Sequence, residues 1–223
     1  MNSLPLELLL IIAEKSPESF CKMRLLSKSV YDYTNEYMDY YRKFFIMEVK
    51  TNITHHYILP NGAKEGLSET YHNGIIYKRF NYVNGMKKGL GEQFYENGTI
   101  YKRINYANDM REGLCESFHR NGAIHIRGIF INDKTEGLVE QFNKNGTILA
   151  RINSKNNAKD GLCEIFNEDG NIHNRSLYEN NERIKFELFA ENGTIRERKL
   201  YAGNKIITHE VYDGTILFVN HGR

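Results

Sequence analysis

Past residue 60 the apolar side chains fall into columns. Tyr71, Phe94, Phe118, Phe142, Phe166, Phe189 and Tyr212 each stand within four residues of a following Gly that is preceded by Asn or Asp. Glu precedes each of these aromatics by two positions, from Glu69 and Glu92 through Glu116, Glu140, Glu164 and Glu187 to Glu210. Beyond the turn come an Ile column (Ile76, Ile100, Ile124, Ile148, Ile172, Ile195, Ile216) and an Arg column (Arg79, Arg103, Arg127, Arg151, Arg175, Arg198). Gly-Leu recurs at 66, 89, 113, 137 and 161, with steps of 23 or 24. A repeat of this length is one supersecondary unit that must stack on its neighbours to bury anything.

A second turn signal lies between the first ones: Asn84-Gly85, Asn108-Asp109, Asn132-Asp133, Asn156-Asn157 and Asn180-Asn181. Asn, Asp and Gly tolerate the left-handed backbone that tight turns need. Two turns per unit leave two strands of about 6 to 8 residues, so each unit is a β-hairpin. The whole stretch then reads as an antiparallel meander of about six or seven hairpins.

Two registers compete for each hairpin. A two-residue Asn97-Gly98 loop sets Glu92 opposite Arg103, and likewise Glu187 opposite Arg198. A three-residue Glu96-Asn97-Gly98 loop with Gly in a bulge sets Phe94 opposite Ile100 instead. We take the second, because one face must collect the apolar columns. A ladder with Glu92 directly opposite Arg103 would reject that choice. At the far end, Thr215 to Val219 reads as a hydrophobic closing strand, either covered or used for self-association.

Residues 1 to about 50 carry none of these marks and read with helical period. Pro5 in a first turn is followed by an apolar stripe of Leu8, Leu9, Ile11 and Ile12; a second short helix follows Ser16-Pro17, and a third spans about Asn35 to Val49. The expected fold class is therefore α+β: a helical domain over 1–50, then a single-sheet hairpin array over 51–223. Leu4-Pro5-Leu6-Glu7-Leu8-Leu9, Ile12 and Arg24-Leu25-Leu26-Ser27-Lys28 resemble an F-box. That resemblance implies docking on the Skp-type adaptor of a cullin ubiquitin ligase through Leu4, Pro5, Leu8, Ile12, Leu25 and Leu26, with the hairpins holding an unknown target protein. The repeats resemble MORN-type repeats of the G-L-x-E-x-[FY]-x-x-N-G-x-[IL] variety. The two together resemble proteins of giant nucleocytoplasmic DNA viruses. Without the adaptor, the alternative is a MORN-like scaffold that binds proteins or phospholipids.

Composition narrows the chemistry. With 223 residues and a net charge of +2, no dedicated nucleic-acid surface is expected. Near-zero charge also makes anionic membranes poor partners. Three Cys, no basic stretch at Met1-Asn2-Ser3 and no long apolar run lead to an expectation of a cytoplasmic protein, with oligomeric state open. His125 and His173 lie two repeats apart, about 19 Å on strand spacing, as do Cys115 and Cys163, so neither pair can share a zinc ion or a disulfide. Glu and Arg recur in every unit, which suits a scaffold better than a catalytic group needed once. Gly89-Leu90-Gly91 is read as a turn, since no helix or Lys follows to hold a phosphate. No enzyme, metal or cofactor is expected. Tyr77, Lys78, Tyr95, Tyr101 and Lys102 remain as a candidate protein-recognition face, Tyr and Arg being favoured at binding hot spots.

Overall fold

A computed structural model describes residues 46–59, 61–213 and 216–221. Among them the protein is all-β and every strand pair is antiparallel, which corrects the α+β expectation. Of the helix expected over about Asn35 to Val49, only the end lies among the described residues, and there the expectation fails: Met47–Lys50 is a strand, β1, paired with β2 (Thr54–Ile58). Alternation of Met47 and Val49 with Glu48 and Lys50 is a two-residue period, and the edge of β2 is there to satisfy it. Leu4, Pro5, Leu8, Ile12, Leu25 and Leu26 lie outside the described residues.

Two compact units divide the chain at Lys88 and Gly89. The first contains β1, β2, β3 (Lys64–His72), β4 (Ile75–Val83) and the two-residue β5 (Met86–Lys87). The second begins with β6 (Gly89–Phe94) and β7 (Ile100–Ala107) and continues through β8 (Met110–Phe118), β9 (Ile124–Ile131), β10 (Lys134–Phe142) and β11 (Ile148–Lys155). It goes on with β12 (Ala158–Phe166), β13 (Ile172–Glu179), β14 (Glu182–Phe189), β15 (Ile195–Ala202), β16 (Lys205–Asp213) and the closing β17 (Ile216–His221). Within it each strand pairs with the next in sequence, as expected of a meander.

Both competing registers occur, so the choice of one over the other is wrong. Phe94 faces Ile100, yet Glu92 faces Arg103 directly, because Tyr101 is bulged out between them. The same shift separates Phe118–Ile124 from Glu116–Arg127, and Phe142–Ile148 from Glu140–Arg151. At the tip, the Gly98 amide donates to the Tyr95 carbonyl and the Tyr95 amide to the Thr99 carbonyl, with Gly98 at φ 82°. That is a three-residue loop ending in a left-handed residue. Asn97 Oδ1 accepts from both the Thr99 amide and its hydroxyl, which is why Asn-Gly-Thr recurs here as a turn.

From Asn84-Gly85 to Asn180-Asn181 the opposite turns are two-residue loops with positive φ at both positions, such as Asn108 at 50° and Asp109 at 67°. Three of them are tied to the unit before by a side chain. Asp133 Oδ1 accepts from the Arg111 amide and Nε, Asn157 Oδ1 from the Thr135 amide, and Asn181 Oδ1 from the Lys159 amide. Repetition is therefore stitched by hydrogen bonds about 22 residues apart as well as by the ladder.

Gly-Leu proves to be a strand bulge rather than a turn. Opposite Asn105 the partner strand fits in Glu112, Gly113 and Leu114, with Gly113 at φ 87°. The surplus backbone is closed by a side chain: Asn105 Nδ2 donates to the Leu114 carbonyl at 2.9 Å, and Asn153 Nδ2 to the Leu162 carbonyl at 2.7 Å. Bulges of this kind re-aim the following side chain, here the Leu.

Candidate binding surface

Within the second unit the sheet has two dissimilar faces. One carries the Glu and Arg columns, because Glu92, Glu116, Glu140, Glu164 and Glu187 each stand opposite an Arg in the ladder. Arg127 bonds Glu140 at 2.7 Å, Arg175 bonds Glu164 at 3.0 Å, and Arg198 bridges Glu187 and Glu210. Each guanidinium also covers the aromatic of the next unit: Arg103 over Phe118, Arg127 over Phe142, Arg151 over Phe166 and Arg175 over Phe189, at 5.2 to 5.5 Å. Cation–π contact and ion pair thus share one side chain per rung.

Exposure divides these pairs unevenly. The Glu140 side chain is 12% exposed while its Arg127 and Arg151 partners are 44% and 47% exposed. What this face shows to solvent is arginine. Burial of Glu187 would raise its carboxyl pKa, but hydrogen bonds from Lys185 and Arg198 outweigh that and hold it below the ordinary value.

Two residues before Glu92, Glu116, Glu140 and Glu164 on the same face stands the Leu of Gly-Leu. Leu114, Leu138 and Leu162 are about two-fifths exposed, and Ile129, paired with Leu114, is equally open. A mainly aliphatic row, interrupted by Asn153 opposite Leu138, therefore runs beside the arginine row, about 7 Å away along the strands. Sequence reasoning used Gly-Leu only to find the period; its exposure follows from the bulge, which the pattern alone does not reveal.

The reverse face is built by volume. Gly91 faces Ile104, Ile104 also faces Cys115, Cys115 faces Gly128, and Gly128 faces Val139. A Cβ added at Gly128 would come within 3.1 Å of Val139 Cγ2. Ala150, Ser154, Cys163 and Ser176 are buried on the same side. A cavity of about 220 Å³ opens there, walled by Lys102, Ile104, Cys115, Ile126, Phe130 and Val139. Burial pushes the Cys115 and Cys163 thiols up, so neither is an activated nucleophile.

Along the hairpin tips of this unit the expected Tyr and Lys cluster forms in part. Tyr95 and Tyr101 pack at 5.0 Å, Lys102 lies over Tyr101, and Arg120 lies over Tyr95. Tyr77 and Lys78 form a similar pair in the first unit. His119 and His125, not paired by the sequence reading, stack at 4.4 Å beside an open cleft of about 520 Å³ that also reaches Lys144 and Glu168. Burial, then the His119 ring, lowers the His125 pKa. Among the described residues no group of three or more His, Cys, Asp or Glu could hold a metal ion.

Two of these hairpins match a known repeat. Residues 87–108 and 159–180 match the MORN repeat variant. These matches cover the β6–β7 and β12–β13 hairpins, and the hairpins between and after them repeat the same strand pairing. No curated protein matches the chain. A crystal structure of a mutant S. aureus TarM in complex with Fondaparinux, alpha-GlcNAc-glycerol and UDP is 13% identical over 49% of this chain and 24% of that one, at a TM-score of 0.26. Another TarM crystal structure is 14% identical over 49% of this chain and 23% of that one, also at 0.26. The chain spans about a quarter of those TarM chains, and at that TM-score the likeness carries no argument about this one.

Proposed function

We propose that the MORN-like array is a non-enzymatic scaffold that binds a protein partner through the ladder face. The observation that carries this is the row of Leu114, Ile129, Leu138 and Leu162, exposed beside a row of arginines that are far more open than the carboxylates they pair with. Exposed apolar rows rimmed by polar groups mark interaction sites, and arginine is enriched among binding hot spots. The ubiquitin-ligase reading rests on residues outside those described, and neither the fold nor the comparisons lends it support.

Photo-crosslinking tests the proposal. A benzoylphenylalanine replacing Leu138 should give discrete protein adducts in cells, while the same probe replacing Asn180, in a far turn, should not. Absence of protein adducts together with flotation of the chain on anionic vesicles would instead favour the phospholipid reading.

A further inference from the structure

The geometry points to an acidic amphipathic helix as the partner segment that docks on the ladder face. This deepens the protein-binding proposal and rests on it.

Leu114, Leu138 and Leu162 come from β8, β10 and β12, alternate strands of one continuous ladder. Neighbouring strands lie about 4.8 Å apart, so successive leucines recur at about 9.6 Å. Seven residues of α-helix advance about 10.5 Å, which brings an apolar side chain back to one side. A helix laid across the strands thus meets each leucine with every second turn. Ile129, opposite Leu114 and beside Glu136 of β10, adds an apolar side chain between the first two leucines, while Asn153 stands opposite Leu138 on the way to Leu162. An extended strand fits poorly, since residues three apart, about 10 Å, point to opposite sides.

Charge sets the rest of the partner. Arg127, Arg151 and Arg175 border the leucine row on one side and are 36 to 47% exposed, each with a deeply covered Glu. A carboxylate approaching from outside therefore meets guanidinium edges first. On the other side Glu112 and Glu136 already accept from the Asn132 and Asn156 amides of the two-residue turns. The matching helix carries Leu, Ile or Phe every seven residues, Asp or Glu along the flank facing the arginines, and neutral or basic residues along the other flank. Proline-rich helices have a similar repeat of about 9.3 Å but dock on aromatic-lined grooves, whereas this row is aliphatic.

The test is a selection from a displayed library of random 21-residue peptides on the full chain, with Leu114→Ser/Leu138→Ser as a second target. Enriched peptides should show the seven-residue apolar pattern with one acidic flank and gain helical circular dichroism on binding. They should bind the double variant at least about tenfold more weakly, and weaken again when the acidic flank is changed to Lys. The variant's own unfolding curve controls for its fold. Enrichment of proline-repeat or unpatterned peptides, or binding indifferent to the double substitution, overturns the helix proposal and leaves the protein-binding reading standing. Enrichment of nothing, with flotation on anionic vesicles, overturns both.

Discussion

The two faces of the second unit obey different rules. On the ladder face the same residue types return every 24 positions, because each Arg must reach a Glu in its own hairpin and an aromatic in the next. On the reverse face the corresponding positions read Gly91, Cys115, Val139, Cys163 and Phe186, with no shared chemistry. There the partners share volume, as Ile104 lies between the small Gly91 and Cys115 and Val139 lies against Gly128. Strict repetition marks directional bonds, and drift marks shared volume.

The sharpest way to break this contrast is at Glu187, the most buried carboxylate of the ladder, held by Lys185 at 2.8 Å and Arg198 at 3.1 Å. Glu187→Ala strands two cations that are themselves about a third exposed, so the expected loss is about 2 to 3 kcal/mol, below the range for fully buried pairs. Urea unfolding would measure it. Because the folded pKa is depressed, this stability is present above the unfolded carboxylate value. It fades as pH falls from there through the lower folded value. The difference between wild type and Glu187→Gln should therefore shrink on acidification below about pH 4.5. A difference independent of pH would remove the ion pair from the account.

On the reverse face the matching perturbation is steric. Gly128→Val should cost about 1 to 3 kcal/mol by overpacking against Val139. Adding Val139→Ala should return part of that loss in a double-mutant cycle, since the two residues share one space. Strict additivity would mean that volume is not traded between strands.

Much of this was legible in the sequence. Period, hairpins and both turn sites follow from side-chain columns, because directional bonds leave the same residue at every rung; the direct Glu–Arg pairing belongs to the register that the apolar columns argued against. The two registers looked exclusive only because a bulge leaves no mark of its own: Tyr101 is simply one more residue between Ile100 and Lys102. Gly89-Leu90-Gly91 read as a turn for the same reason, since left-handed Gly serves turns and bulges alike. The exposed leucine row was hidden behind that misreading. Met47 to Val49 was assigned to a helix because the aromatic stripe before it has helical spacing, and four residues are too few to show their own alternation.

Bulge glycines give a smaller, graded effect. Gly113 and Gly161 both have positive φ, but a Cβ at Gly161 would lie 3.3 Å from Asn153 Cβ, while one at Gly113 meets nothing within 4 Å. Gly113→Ala should thus cost about 1 kcal/mol from backbone strain alone. Gly161→Ala should cost more, because it also presses on the Asn153 side chain that closes the bulge. Equal losses in thermal unfolding would show that the Asn amide does not hold the bulge.

Least of all should happen at Leu138. It is exposed on the ladder face, and the Glu–Arg rung beside it is complete without it. Leu138→Ser is expected to change unfolding free energy by no more than about 0.5 kcal/mol, the range of surface substitutions that touch no cap, cavity or pair. Such a residue contributes little to folding although its column recurs in five successive units. If Leu138→Ser instead destabilised the chain as much as Gly128→Val, the leucine row would belong to the packing of the sheet and its recurrence would need no partner. A near-zero cost leaves binding as the reason for the repetition.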